Sequence, residues 1–136
     1  MIGLSGYWDP LYNANHRSIM APASRQPLLG EVEQLVLLAV LRLGDEAYAV
    51  PIRALIQREA GVHLSRGTVY VTLERLERKG YVTSWFSDPQ AMRGGKARRF
   101  FRLKPPGVAA VRAAKLAVDR LAAGTVVAPR PLSRKS

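Results

Sequence analysis

The chain has 136 residues, the length of one domain, and 48% of them are hydrophobic, which is enough for a core. It contains no cysteine, which excludes disulfides, zinc–thiolate sites and thiol catalysis, and its net charge of +11 indicates an anionic partner such as nucleic acid or an acidic membrane surface. The longest apolar run, 35-LVLLAVL-41, is far shorter than the roughly 20 residues of a membrane span, and no secretory signal pattern opens the chain, so we expect a soluble, cytoplasmic protein.

Residues 1–28 contain scattered glycine, proline and asparagine without periodicity, which predicts an irregular or disordered N-terminal extension rather than a docking segment. The first helix is predicted over about 29–43, with Glu31 and Glu33 in its first turn and Gly44 as its stop. Its middle is apolar on every side and should therefore be covered on every side. Because a small domain seldom surrounds a helix alone, we expect a partner subunit over it.

A second helix is predicted from about residue 50, because Pro51 suits an early helical position, and it ends at the turn 61-GVHL-64. Ser65 is the expected N-cap of a third helix, which ends near Lys79. Two helices joined by a short turn with glycine form the helix-turn-helix layout.

Two runs rich in β-branched and aromatic residues, 81-YVTSWF-86 and 97-ARRFFRL-103, are predicted strands joined by the turn-rich loop 87–96. A hairpin after a helix-turn-helix makes a winged helix, so the predicted fold is mainly α with a small β-hairpin wing. A last helix follows from about residue 107. This organisation predicts four segments: an irregular extension at 1–28, a winged helix-turn-helix DNA-binding domain at 29–104, a C-terminal dimerisation helix at 105–123 and a basic flexible tail at 124–136.

Basic charge is concentrated in one part of the chain. Residues 65–104 carry ten basic and three acidic side chains, whereas residues 30–64 carry three basic and five acidic ones. Such polarity is typical of a binding face. In a helix-turn-helix the second helix lies in the DNA major groove and its N-terminal residues reach base edges. The candidate DNA-contacting residues of this helix are therefore Arg66, Gly67, Thr68, Tyr70, Thr72 and Arg75.

The wing loop supports the same function. Its segment 93-RGGK-96 leads into Arg98, and its two glycines allow the loop to run close to a DNA backbone while the cations neutralise phosphates or enter the minor groove. The alternatives are an ordinary amphipathic surface helix and a basic loop without a ligand. Because the helix and the wing indicate the same partner, DNA binding is favoured over these alternatives. The predicted wing contacts are Arg93, Gly95, Lys96 and Arg98.

Three segments together resemble the PadR family of winged-helix transcriptional regulators: 30-GEVEQLVLLAVLRLGDEAYAVPI-52, 65-SRGTVYVTLERLERKGYVTS-84 and 94-GGKARRFFRLKPPG-107. The resemblance implies a homodimer that binds operator DNA and usually represses nearby genes. It also implies a DNA-facing helix and wing that include Ser65, Gly67, Thr68, Tyr70, Gly95, Lys96 and Arg98. Two departures, Ala49 in place of a frequent glycine and 104-KPPG-107 in place of Thr-Pro-x-Gly, lie away from the DNA face.

The last helix carries a short seam of the coiled-coil type, because apolar residues recur at 3-4-3 spacing. Two heptads are too few to be stable alone, so we expect the seam to pack against the first helix of a second copy. The alternative is that the seam folds back onto its own subunit. The predicted dimer interface comprises Leu37, Val40, Leu41, Val111, Ala114, Val118 and Leu121.

The sequence gives little support for an enzymatic function. His16 and His63 have no carboxylate at ligand or triad spacing, no phosphate loop is present, and Glu74 and Glu77 are interpreted as solvated helix charges, so we expect no metal and no cofactor. The alternative functions are a winged-helix protein-interaction module and a non-specific nucleic-acid-binding module. Binding of an aromatic or cationic effector near Trp85 or at the dimer interface is a further alternative. A place in the wing core is the simpler role for Trp85.

Overall fold

The computed structural model describes residues 28–88 and 97–128. The expectations for residues 1–27, for Arg93, Gly95 and Lys96 of the wing loop, and for the tail from residue 129 lie outside these ranges. The predicted fold class, mainly α with a β-hairpin wing, is confirmed. The elements follow in the order α1 (Glu31–Leu43), α2 (Ala49–Ala60), α3 (Arg66–Arg78), β1 (Val82–Phe86), β2 (Arg99–Leu103) and α4 (Pro105–Ala122).

Helix α1 ends at Leu43, as the sequence predicts, and begins at Glu31, two residues after the predicted start. The Gly30 N–H donates to Glu33 Oε1 at 3.0 Å, which satisfies a donor at the start of the helix that has no intrahelical acceptor. At the other end Gly44 has a φ of +58°, in the region that favours glycine, and opens the short 3₁₀ turn Gly44–Glu46. The chain therefore leaves α1 sharply and turns toward α2.

The helix-turn-helix is formed by α2, the turn 61–65 and α3. Gly61 ends α2 in the left-handed conformation, with a φ of +71°. Ser65 is the N-cap of α3, as predicted, and its Oγ accepts from the Thr68 N–H at 3.0 Å. The Arg53 Nε donates to the Leu64 carbonyl oxygen at 2.6 Å, so a side chain of α2 holds the turn that precedes α3.

The wing is an antiparallel pair in which Val82 faces Leu103 and Phe86 faces Arg99. The link between α1 and α2 joins it, because the Phe101 N–H donates to the Ala47 carbonyl oxygen at 2.9 Å and Tyr48 forms a bridge with Phe100. The sequence did not predict that this short segment pairs with β2. It attaches the wing directly to the start of α2.

Helix α1 lies at the centre of the core and packs against α2, α3, α4 and β2. Leu37 and Val40 are 0% and 1% exposed within this single chain. The subunit itself covers them, which corrects their assignment to a dimer interface. On the outer side Leu41 is 49% exposed and remains available to a partner, and Leu38 is 42% exposed. The largest fully buried side chains are Phe101, Leu37, Ile52, Leu73, Leu76, Val36, Val40, Val69 and Val82.

Helix α4 begins two residues before the predicted start, because Pro105 and Pro106 occupy its first positions, where the missing N–H of proline is not needed. The predicted seam divides into two parts. Val111 and Ala114 are 5% and 0% exposed and pack into the subunit's own core, which corrects their assignment to the dimer interface. Val118 and Leu121 continue the same stripe but are 58% and 84% exposed.

Candidate nucleic-acid interface

The outward side of α3 follows from its buried side. Val69, Leu73 and Leu76 are fully buried. At about 100° per residue, the direction opposite to them is occupied by the helix positions 67, 71, 74 and 78. We call these four residues, Gly67, Val71, Glu74 and Arg78, the crest of α3.

Most of the predicted contact residues flank this crest. Ser65, Arg66, Gly67, Thr68, Tyr70 and Arg75 are all exposed. Thr72 is the exception, since it is 2% exposed. Its position on the helix lies next to that of Leu76, at the edge of the buried arc, so almost all of its side chain packs against the core. The proposed DNA contact of Thr72 is therefore wrong.

An open groove of about 1120 Å³ lies between α3 and the wing. On one wall stand Arg66, Tyr70 and Arg78 of α3, and on the other stand Arg98 and Phe86 of the wing. Tyr48 and Val50 at the start of α2 also line this groove. The structure thus brings Arg66 of the helix and Arg98 of the wing, both predicted contact residues, to one groove, whereas the predicted Arg75 lies on the opposite flank of α3.

The other side of α3 borders a smaller depression of about 490 Å³, next to the first turn of α1. Ser65, Gly67, Thr68 and Arg75 line it. The Ser65 hydroxyl also donates to Thr68 Oγ1 at 2.9 Å, so the two hydroxyls are ordered by each other at the start of the helix. Helix α3 therefore presents hydrogen-bonding side chains on both flanks of its crest.

Arg98 is held at the base of the wing loop by two interactions with one residue. Its Nη1 donates to the Tyr48 hydroxyl at 2.9 Å, and its guanidinium carbon lies 4.5 Å from the centre of the Tyr48 ring. The Ser87 N–H donates to the Arg98 carbonyl oxygen at 2.8 Å and the Arg98 N–H donates to Ser87 Oγ at 2.9 Å, which extends the hairpin by one step. The Arg98 charge is therefore exposed but oriented.

Arg99 joins the wing to α3. Its Nη1 donates to Glu74 Oε2 at 2.9 Å and its Nη2 to Glu77 Oε1 at 2.6 Å. Ser84 Oγ donates to the second oxygen of Glu77 at 2.8 Å. Burial alone would lower the pKa of Arg99, but the hydrogen bonds and charges of the two glutamates outweigh it and raise that pKa. Glu74 and Glu77 are thus not the free solvated charges that the sequence suggested.

A second ion pair fixes the other end of α3. Lys79 Nζ, directly after the helix, donates to Glu33 Oε2 at 2.8 Å. Burial alone would raise the pKa of Glu33, but the hydrogen bonds from Lys79 and Gly30 and the nearby positive charges of Lys79 and Arg75 outweigh it and lower that pKa. The carboxylate therefore ties the start of α1 to the end of α3.

Several residues of this surface were not identified as contact residues from the sequence. Val71 was overlooked because the face was identified by polar residue type, and Arg78 because the contacts were sought in the N-terminal part of the helix. Tyr48 and Arg99 have no local signal, since their partners are distant in sequence. Trp85 stacks on Phe100 with ring centres 5.9 Å apart, but it is 36% exposed, so it lies on the surface of the wing and not in its core as expected.

The described residues offer no other chemical centre. Among them, no three His, Asp or Glu side chains come together as metal ligands. His63 Nδ1 lies 3.3 Å from Gln57 Oε1, an ordinary surface contact. Within residues 28–88 and 97–128, none of the helices is both long and apolar enough to cross a membrane.

Comparison with solved structures finds relatives of the same fold. A transcriptional regulator from Clostridium thermocellum aligns with a TM-score of 0.57 and 22% identity over 67% of this chain and 85% of that one. A PadR family transcription regulator from Clostridium difficile R20291 aligns with a TM-score of 0.55 and 26% identity over 68% and 95% of the two chains. Bacillus subtilis PadR, solved in complex with operator DNA, aligns with a TM-score of 0.50 and 20% identity over 78% and 54%.

A comparison with curated proteins gives no significant match. The family model for the transcriptional regulator PadR-like family matches residues 37–113, which run from the core of α1 through the helix-turn-helix and the wing into α4. This match covers more than half of the chain, and the chain therefore belongs to the transcriptional regulator PadR-like family.

Proposed function

We propose that this protein is a homodimeric, sequence-specific double-stranded DNA-binding repressor. The observation that carries the proposal is the groove between α3 and the wing, where cations from both elements, Arg66, Arg78 and Arg98, line one opening. Positive charge on two separate elements around one groove matches the phosphate backbone of a duplex. The structure of Bacillus subtilis PadR with operator DNA supports the same partner.

In the proposed complex the crest of α3 enters the major groove, which is about 12 Å wide and admits one helix. One phosphate backbone then passes through the groove between α3 and the wing, close to Arg78 and Arg98, while Thr68 and Arg75 on the other flank face the opposite backbone. Arg66 at the front of the helix is placed to pair with guanine, and Tyr70 to reach a phosphate. The wing loop continues along the backbone or the minor groove.

A second copy of the chain completes the proposed repressor. Val118 and Leu121 continue a stripe that is buried in the first half of α4 but exposed in its second half. Exposed apolar residues in register with a buried stripe favour contact with another subunit. Two-fold symmetry then predicts a pseudo-palindromic operator with half-sites about one helical turn, roughly 10 bp, apart.

The alternatives make different demands on the basic groove. A protein-interaction module would not need its arginines, so reversing their charge would leave its function intact. A non-specific nucleic-acid-binding module would need them but would bind all duplexes alike. Preference for one duplex therefore separates the proposal from both.

The test is a binding titration on the protein's own upstream promoter fragment against a scrambled duplex of equal length, at two salt concentrations. We expect a large preference for the promoter that survives added salt, and reduced transcription from that promoter when the protein is present. Equal and steeply salt-dependent binding to both duplexes would indicate a non-specific module. Absence of binding to either would favour the protein-interaction module.

A further inference from the structure

Val71 is an apolar side chain at the centre of the candidate DNA-binding surface. It is 56% exposed, and it lines both the groove toward the wing and the depression on the opposite flank of α3. Single exposed apolar residues are ordinary on a protein surface. Val71 differs in its position, because it lies on the crest between Tyr70 on one flank and Arg75 on the other.

Val71 is also the first side chain that the crest presents. Gly67, one turn earlier, has no side chain, and a Cβ built there would meet only Ser65 Oγ, 4.0 Å away. Glu74, one turn later, is drawn toward the wing by its bond with Arg99. The foremost part of the crest is therefore a branched hydrocarbon, and its two γ-methyl groups are rigidly placed by the helix.

The major groove offers one apolar group to such a side chain. Guanine, adenine and cytosine present hydrogen-bond donors and acceptors there, whereas thymine adds a 5-methyl group. A valine that approached cytosine would leave the cytosine amino group without an acceptor, at a cost. We propose that Val71 contacts the thymine 5-methyl group and selects a T·A pair at one position of each half-site. This inference rests on the proposed DNA-binding function.

The experiment uses duplexes that the full-length protein enriches from a random-sequence pool. Each thymine of the enriched duplex is replaced singly by deoxyuridine, which removes only the 5-methyl group. We expect one position in each half-site at which this change weakens binding by roughly 4-fold, the effect of losing one buried methyl group. In Val71→Ala, thymine and deoxyuridine at that position should bind with nearly equal affinity.

Val50→Ala is the matched control, since Val50 is 58% exposed and lines the same groove but stands on α2. It should keep the wild-type preference for thymine. The inference is overturned if no thymine position is sensitive, if Val71→Ala keeps the full sensitivity, or if Val50→Ala removes it. Should the pool yield no preferred duplex at all, the proposed function fails together with this inference, so the two failures are distinguishable.

Discussion

The arginines around the groove are expected to contribute to DNA binding in different ways. Arg66 lies at the first turn of α3, so Arg66→Ala should weaken binding to the preferred duplex by about 1–3 kcal/mol and leave random DNA little changed. Arg98 is placed to contact phosphate, so Arg98→Ala should weaken binding to all duplexes alike and reduce the salt slope by about 1. Titrations at several salt concentrations measure both effects.

Tyr48→Phe is the control for Arg98, because it removes the hydrogen bond to the Arg98 guanidinium but keeps the ring beneath it. We expect it to bind DNA more like the wild type than Arg98→Ala does. Equal losses for Arg66→Ala on preferred and random duplexes would show that Arg66 contacts phosphate and not a base.

Substitution by alanine should affect different properties at two glycines, stability at Gly107 and DNA binding at Gly67. At Gly107 an added Cβ would lie 3.0 Å from the Tyr81 carbonyl carbon and closer still to its oxygen, both backbone atoms. Gly107→Ala should therefore destabilise the fold by about 1–3 kcal/mol or more. At Gly67 the surroundings are open, so Gly67→Ala should unfold like the wild type but bind DNA more weakly, because its methyl group keeps the duplex from the helix.

Chemical unfolding and DNA titration of the two variants separate these roles. A stable Gly107→Ala would mean that α4 shifts away from Tyr81 without loss. Unchanged DNA affinity in Gly67→Ala would remove the start of α3 from the contact surface.

The buried and exposed positions of α3 could be predicted from the sequence only in part. The buried stripe of Val69, Leu73 and Leu76 follows a 3.6-residue period, which is a signal that the local sequence carries. Thr72 was misplaced because a hydroxyl was taken as evidence of exposure, although its angle around the helix places it beside the buried Leu76. Polar residue type alone therefore did not identify the face of α3.

At the scale of elements, Arg99 decides how α3 and the wing are held together. Its side chain is 22% exposed and bonds both Glu74 and Glu77. Arg99→Ala should cost about 1–3 kcal/mol of folding free energy, since hydrogen bonds to charged groups are lost, and it should weaken DNA binding because the carboxylate of Glu74 then stands unneutralised beside the groove. Denaturant unfolding and DNA titration measure the two losses.

Arg102 supplies the matched control on the same strand. Its ion pair with Asp45 is exposed, at 59% and 88% for the two side chains, and spans 3.3 Å. Arg102→Ala should therefore change stability by less than about 1 kcal/mol. If both variants cost the same, the pairs of Arg99 do not stabilise the junction between helix and wing.

The ion pair between α1 and α3 predicts a dependence of stability on pH. The pKa of Glu33 is lowered in the folded state, so its contribution is fully present above the unfolded-state value and is lost as the pH falls through the folded-state pKa. Wild-type stability should therefore decline as the pH drops below about 4.5. Glu33→Gln, which cannot ionise, should start less stable at pH 7 and lose less on acidification.

Unfolding curves between pH 7 and pH 3 test this expectation. Lys79→Ala should remove only part of the pH dependence, because the bond from the Gly30 N–H to Glu33 remains. Parallel pH profiles for the wild type and Glu33→Gln would contradict the role of this carboxylate.

At the scale of the whole molecule, local signals predicted the order of elements, and contacts distant in sequence were not predicted. Ser65 and Gly61 are local signals that mark the helix ends. The junction of Ala47 with Phe101 was not foreseen, since neither residue has a pattern that names the other. The same limit applied to α1, whose cover was attributed to a second copy although α2, α3, α4 and β2 of the same chain pack against it.

The exposed half of the α4 stripe remains for a second copy, besides Leu38 and Leu41 on the outer side of α1. Leu121 is 84% exposed, and burying a leucine side chain stabilises an interface by about 1.5–3 kcal/mol. Because each dimer buries two copies, Leu121→Glu should raise the dimer dissociation constant by about 100-fold or more. Leu116→Glu is the control, since Leu116 lies on the opposite side of α4 and is 44% exposed. Sedimentation at several concentrations distinguishes the two variants.

The proposed dimer predicts how the proposed operator is bound. Each subunit carries a complete groove of its own, so a single half-site duplex should bind Leu121→Glu about as well as it binds the wild type. A duplex with two half-sites should bind the wild type far more tightly, because the second contact is then intramolecular. Leu121→Glu should lose this advantage and Leu116→Glu should keep it. If Leu121→Glu retained it, the interface would lie elsewhere, and Leu38 and Leu41 on the outer side of α1 would be the next residues to substitute.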